Sequence, residues 1–395
     1  MKNFIFVLMI LFLSLMMFGK TTITFWGYET VDFSQKEIMA NLVDKFQSEN
    51  NDIKVNVVYL PKSDFEIKLK TAAAVSELPD VSYIDQPLLP LFAKDGLLLN
   101  ITEYVEKDNL DLSNYIKGPL DTCIYKGEYY GLPISQTSVA MIYNRDLIAE
   151  PPKTWDELLE ISKEIYIPGE VSAFEYLEGD GWGAWIIPAF VHSAGGEMVV
   201  DGKAVFNSQA GVDALNLMKE LKKYSEKEVL DSANAFETGH IGMIVNGPWM
   251  LSSYRNNWPD LNFGIALIPM KEKYATNLGG EDIVIYSDSE NKEASWKFIK
   301  FLTNEENAAD MAMVMGNFPT RIEAANDPRF NKDPEMSMFM EQMKYSFARP
   351  TAINWLKIND EIIGKAIGEV LSNEKTPQEA LDDAVEAANE LLKEE

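Results

Sequence analysis

Residues 131–155 read Gly131-Leu-Pro-Ile-Ser-Gln-Thr-Ser-Val-Ala-Met-Ile-Tyr-Asn-Arg-Asp-Leu-Ile-Ala-Glu-Pro-Pro-Lys-Thr-Trp155, and this stretch decides the fold. Gly131 and Pro133 punctuate an extended run in which Val139, Met141 and Tyr143 alternate with Ala140, Ile142 and Asn144. Neither parity carries charge, so the spacing predicts a strand covered on both faces, beginning just after a hinge-like turn. Pro151 and Pro152 stop it. Thr154-Trp-Asp-Glu157 then has the spacing of a capping box, in which a threonine caps the helix and a glutamate reaches back to the cap's own amide. Turn, strand, double proline and capped helix within one short span describe a chain crossing between two lobes.

The bulk numbers agree with two lobes. Domains run to about 100–200 residues, and this chain has 395. Lys and Arg total 35 against 62 Asp and Glu, a net charge of −27, which repels phosphate backbones and anionic lipid. Nucleic acid is a poor candidate partner, and a monomer is expected. Cys123 is the only cysteine, so no intrachain disulfide forms and its simplest role is a small buried hydrophobe. Lys2 precedes an almost wholly apolar run from Phe4 to Phe18. That run suits a signal-peptide core, whereas a membrane-spanning helix needs about 20 apolar residues. Residues 1–19 are read as a signal peptide, and a periplasmic or extracellular location follows.

Upstream of the crossing, Thr21 to Trp26 is a β-branched run, and Ser34-Gln-Lys-Glu37 has capping-box spacing before Ile38, Leu42, Val43 and Phe46 on one helical face. Ile53, Val55, Val57 and Tyr59 alternate, Ser63 opens another helix, and Val81 to Ile84 forms a short strand. Strand, helix, strand, helix, strand predicts a parallel sheet with both faces covered, and ligands of such sheets sit beyond the strands' carboxyl ends. Trp26, Tyr28, Glu29 and Asp85 fall there. Downstream come an irregular segment over 168–184, helices over 184–192 and 209–224, strands over 241–245 and 263–268, a loop over 270–280, a helical stretch over 293–312, and a capping box at Thr376-Pro-Gln-Glu379.

The run from Gly131 to Trp155 resembles the solute-binding proteins of ABC sugar importers, of the maltose-binding type. Phe236-Glu-Thr-Gly-His-Ile-Gly-Met-Ile-Val-Asn-Gly-Pro-Trp249, and Gly279-Gly280 through Ala294-Ser-Trp-Lys-Phe-Ile-Lys-Phe-Leu302, agree with it in order and distance. The resemblance implies a two-lobed α/β periplasmic-binding-protein fold, each lobe a mainly parallel sheet flanked by helices, with the ligand cleft between lobes. It implies a first lobe of residues 20–133 and 279–316 and a second of 134–278 and 317–395. It also implies an ABC permease in the membrane as partner, with no cofactor and no metal. At Thr137, and at Pro87 and Leu88, the chain lacks charged residues found in maltodextrin binders.

Catalysis is weighed first because carboxylates are plentiful. A glycosidase pairs two of them at a set separation, which sequence does not show, and most of the acids read as solvated surface. His192 and His240 are the only histidines, and no metal, serine-nucleophile or phosphate-loop motif accompanies them. Aromatics give the better signal, since a sugar offers C–H patches and a rim of hydroxyls that flat rings and carboxylates or amides recognise. Packing and contact stay open for Trp26, Tyr28, Trp182 and Trp355. Trp185 and Trp249 are assigned to the ligand, at positions where the resembling family places sugar-stacking aromatics, and Trp155 and Trp296 to packing. The polar candidates are Glu29, Asp85, Gln136, Thr137, Glu281 and Asp282, each equally open to solvation. The expected function is capture of a carbohydrate by hinge closure and delivery to an importer. A polyamine or other cationic solute is the alternative, with a secreted glycoside hydrolase behind it.

Overall fold

The computed structural model describes residues 20–30, 32–179 and 181–393. The expected signal peptide lies outside these residues.

The chain opens with β1 (Thr21–Tyr28), α1 (Phe33–Glu49), β2 (Ile53–Leu60), α2 (Lys62–Ala74) and β3 (Val81–Asp85). β1 lies between β2 and β3, parallel to both, as alternating strands and helices dictate. The cap of α1 differs from expectation. Asp32 Oδ1, not Ser34, accepts from the amides of Ser34 at 2.7 Å and Gln35 at 3.4 Å. An aspartate two residues upstream offers a charged acceptor to the same free amides, so the helix starts earlier.

The decisive stretch is two strands, β4 (Gly131–Ser138) and β5 (Ala140–Asn144), buried at every position. The extended run ends at Asn144, not at Pro151 and Pro152 as expected, because Asp146 N donates to Asn144 Oδ1 at 2.8 Å and turns the chain there; α3 (Trp155–Ile165) follows with the expected box: Glu157 N donates to Thr154 Oγ1 at 3.2 Å, and Thr154 N to Glu157 Oε2 at 3.3 Å. The stretch taken as irregular holds β6 (Ser172–Phe174) and the start of α4 (Gly181–Ser193). Then come α5 (Gln209–Leu221), β7 (Ile241–Asn246), α6 (Met250–Asn257), β8 (Phe263–Ala266) and β9 (Thr276–Ile285). β9 begins inside the expected loop and takes Gly279 and Gly280 into a strand. The helical stretch that follows is two helices, α7 (Lys292–Leu302) and α8 (Ala308–Met315), the second ended by Gly316 at φ +64°.

β9 joins the first sheet antiparallel, with β3 on one side and β4 on the other. Residues 134–138, expected in the second lobe, therefore pair within the first sheet, and the chain changes sheets at Val139. The second sheet runs β8, β5, β7, β6. It is not mainly parallel: β5 is antiparallel to both β7 and β8, and only β6 and β7 run together. β5 arrives straight from the first sheet without the helical crossover that parallel neighbours require, which leaves it free to enter in the opposite sense.

Two main cores match the two sheets. The first gathers Phe25, Phe46, Tyr83 and Phe298, with Phe25 edge-on to Tyr83 at 5.0 Å and to Phe298 at 5.5 Å. The second gathers Phe174, Phe190, Met218 and Trp355. A third cluster around Ile142, Tyr254, Phe318 and Phe339 packs on the other face of the second sheet. Beside the crossing, Gln136 and Phe318 exchange backbone hydrogen bonds of 3.0 and 2.9 Å, so two crossing segments are tied together. Cys123 is buried, as expected.

Candidate functional site between the lobes

Between the two sheets lies a cleft of about 660 Å³. Its first-lobe wall is built from strand ends, as the rule for α/β sheets requires. Tyr28 closes β1 and Glu29 follows it, Lys62 follows β2, Asp85 closes β3, and β4 and β9 add Thr137, Gly279, Gly280 and Glu281. The opposite wall carries Trp182 and Trp185 from the first turns of α4, Trp249 from the turn after β7, and Asn359 and Asp360. The last two lie on a single π-helical stretch, Ile358–Ile363, a widening of the helix that recurs at functional sites.

The tryptophans converge. Trp182 and Trp185 stack, and Trp249 meets Trp182 edge-on with centroids 6.3 Å apart. Trp185 is held by Asn277 Nδ2, which donates to its carbonyl. The Trp249 ring lies against Gly247, where a Cβ would come within 2.0 Å of it, so glycine there is a condition of the ring's position. Trp249 precedes α6 as its cap residue instead of lying inside the helix. Trp355 lines the cleft yet is 2% exposed and belongs to the second core, so it offers an edge. Trp26 does not line the cleft; it packs on the first core. Trp155 and Trp296 are buried, their indole N–H groups donating to Pro269 O at 3.1 Å and Asp108 Oδ2 at 2.8 Å.

The two neighbouring acids of β9 part company. Glu281 faces the cleft and accepts from Lys62 Nζ at 2.8 Å, Ser135 Oγ at 2.6 Å and Asn317 Nδ2 at 3.3 Å. Asp282 points the other way, wholly buried beside Thr122 and Cys123, where burial pushes its carboxyl up to about 8. Neither Asp282 nor Gln136 lines the cleft. Gln136 spends its Nε2 on Pro319 O at 2.7 Å. Thr137, by contrast, lines the cleft, and its Oγ1 has no partner among the described residues.

Burial, then the charges of Glu281 and Asp85, holds the Tyr28 phenol well above its ordinary value, so it remains an O–H donor. Burial also raises Asp360, helped by Glu66 and Asp85 and opposed by a 2.8 Å hydrogen bond from Asn359 Nδ2. Lys62 sits over the rings of Tyr28 at 4.8 Å and Trp249 at 5.8 Å. Flat faces, neutral hydroxyl-type donors and carboxylate acceptors thus share one cavity.

Sequence reading missed Lys62, Glu66, Arg349, Asn359 and Asp360. Lys62 carried a usable signal, since it follows the end of β2 just as Glu29 follows β1. Arg349 and Asp360 carried none, because neither lies beyond a first-lobe strand and only tertiary packing brings them to the cleft.

Over residues 41–338 the chain matches the family described as bacterial extracellular solute-binding protein. It is 29% identical over 360 residues to the maltotriose-binding protein of Pyrococcus abyssi (strain GE5 / Orsay), covering 87% of this chain and 76% of that one. An ABC transporter solute-binding protein from Thermotoga lettingae TMO, solved bound with alpha-D-tagatose, superimposes with a TM-score of 0.84 at 27% identity, covering 94% of this chain and 100% of that one. The GacH receptor of Streptomyces glaucescens GLA.O, solved unliganded and with acarbose and an acarbose homolog, gives 0.82 at 24% identity, covering 95% and 99%. With a two-lobed α/β fold, a cleft between the lobes and a family match over most of its length, this chain belongs to the bacterial extracellular solute-binding proteins.

Proposed function

We propose that the protein captures a carbohydrate in the interlobe cleft and hands it to an ABC importer in the membrane. The observation that carries this reading is the convergence of Trp182, Trp185 and Trp249 on a cavity whose other wall holds Glu281, Asp85 and Tyr28. Rings cover the C–H faces of a sugar, while carboxylates and phenol answer its hydroxyls. The relatives that bind maltotriose, tagatose and acarbose support the same ligand class. Tyr28, Glu29, Asp85, Thr137, Trp182, Trp185, Trp249, Glu281 and Trp355 are the candidate contacts. We assign residues 20–138 and 276–316 to the first lobe and 139–275 and 317–393 to the second, with closure by rotation at the crossings. Residues 1–19 direct export, and the mature protein acts as a monomer.

A thermal-shift panel of mono- and oligosaccharides, polyamines and amino acids tests this. A ligand that binds only the folded state adds about 2.7 kcal/mol at roughly 100 times its dissociation constant. Stabilisation by a sugar that is recovered intact is the expected result. A panel flat for sugars and positive for spermidine overturns it.

A further inference from the structure

Three groups of the cleft gather around one nitrogen. Lys62 Nζ lies 4.8 Å from the ring centre of Tyr28 and 5.8 Å from that of Trp249, and it donates to Glu281 Oε1 at 2.8 Å. Two ring faces and a carboxylate around an ammonium make a cation cage, because the negative ring faces and the anionic oxygens attract the same charge. The cage walls are held independently of the lysine. Tyr28 packs edge-on to Phe65 with centroids 4.7 Å apart, Trp249 is seated against Gly247, and buried Glu281 keeps Ser135 and Asn317 as partners. Lys62 itself is exposed and reaches in on a flexible four-carbon stem from the first residue of α2.

The other acids of the cleft are answered too. Arg349 Nη1 lies 2.9 Å from Asp85 Oδ2 and Nη2 lies 2.7 Å from Oδ1, a two-pronged pair, and Lys70 pairs with Glu66 one turn away on α2. Glu29 is exposed to solvent, and burial holds Asp360 toward its neutral form. A cleft rich in acids thus keeps little unanswered charge.

We infer that Lys62 is the residue that decides the charge of the ligand: its ammonium occupies the cage of Tyr28, Trp249 and Glu281, so the cleft admits neutral solutes and turns away those carrying an ammonium group. A ligand ammonium has to displace Lys62 or sit beside it, and like charges at that distance repel. A neutral sugar meets no such cost. The lysine has three N–H donors and gives one to Glu281, which leaves donors for the hydroxyls of a sugar bound alongside. The inference deepens the proposed capture of a sugar and rests on it for the neutral ligand, whereas the cage is tested without a sugar.

Titration calorimetry with spermidine provides that test. The wild-type protein is expected to bind it weakly, and Lys62→Ala at least about ten-fold tighter, the scale of a cation seated on aromatic faces. Adding Glu281→Gln to Lys62→Ala should abolish the gain. Lys68→Ala removes an equal charge from an exposed position of the same helix, outside the cleft, and should bind spermidine as the wild type does. That control separates the cage from general attraction to an acidic protein. Should Lys62→Ala fail to fold, Lys62→Ser carries the same expectation. Equal spermidine affinity in the wild type and the Lys62 variant, or an equal rise in Lys68→Ala, overturns the inference even where sugars stabilise the protein. A sugar panel that stays flat while Lys62→Ala gains spermidine overturns the proposed ligand and upholds the cage.

Discussion

The rings of Trp182 and Trp185 stack with centroids 5.3 Å apart and planes 21° from parallel, and they form one continuous apolar face on the second-lobe wall of the cleft. Trp249 stands edge-on to that face. Its substitution should therefore fail differently from that of a packing tryptophan. Trp249→Ala is expected to cost about 2 kcal/mol or more of binding, as a central aromatic anchor does, with the unliganded melt nearly unchanged. Trp155→Ala should cost about 3–5 kcal/mol of folding stability, because its ring is buried against Phe190 and its N–H is bonded to Pro269 O. Calorimetry and denaturant melts on both variants check this. Normal binding with an early melt in Trp249→Ala would move the site elsewhere.

Gly280 sits on β9 at φ +149°, and a Cβ there would lie 2.3 Å from Ser135 O, a backbone atom that has nowhere to go. Gly280→Ala is expected to destabilise the fold by about 3 kcal/mol. Gly279 differs: its Cβ would stand 3.1 Å from both Thr137 Cγ2 and Trp185 Cζ2. Gly279→Ala should leave stability within about 1 kcal/mol and show itself in weaker ligand binding. Equal melts for the two variants would count against this account of the strand.

Asp282 gives a pH dependence with a definite sign. Thr122 Oγ1 lies 2.7 Å from Pro119 O and 3.1 and 3.2 Å from the two Asp282 oxygens. One hydroxyl has one proton, and given to Pro119 O it leaves Thr122 to accept from a neutral Asp282. Burial pushes this carboxyl up to about 8, against the neighbouring Cys123 and Thr122, which lower it; Asp85 raises it further and Arg349 opposes. The folded chain thus keeps a proton that the unfolded chain loses near pH 4, about the ordinary aspartate value. Stability falls as pH rises from there to about 8 and levels off above it. In Asp282→Asn that component of the fall should vanish, as urea melts from mildly acidic to mildly alkaline pH would report. A variant whose pH profile parallels the wild type would show that Asp282 ionises normally.

Lys62 holds Glu281 from the solvent side. Its side chain is 62% exposed while that of Glu281 is 6% exposed, and Ser135 and Asn317 remain as partners if the lysine is lost. Lys62→Ala should therefore cost only about 1 kcal/mol of stability. Because Lys62 also lies over Tyr28 and Trp249, ligand affinity should fall more than stability does. Titration calorimetry beside a melt separates the two effects.

What the sequence determined by itself was local. Charge-free alternation from Val139 to Asn144 predicts a strand covered on both faces, and Thr154 with Glu157, like Thr376 with Glu379, closes its capping box within a single turn. Strand order along the first lobe placed Tyr28, Glu29 and Asp85 at the cleft. Tertiary structure decided everything that depends on parity or on distant partners. Glu281 and Asp282 are indistinguishable as letters, yet pairing with β3 and β4 turns one toward Lys62 and the other toward Thr122, because successive side chains of a strand leave on opposite faces. The same rule sends Thr137 to the cleft and Gln136 to Pro319. From its position Asp85 is open to ligand contact or solvation alike, and only a segment 264 residues away brings Arg349 to it, a meeting that no local pattern encodes.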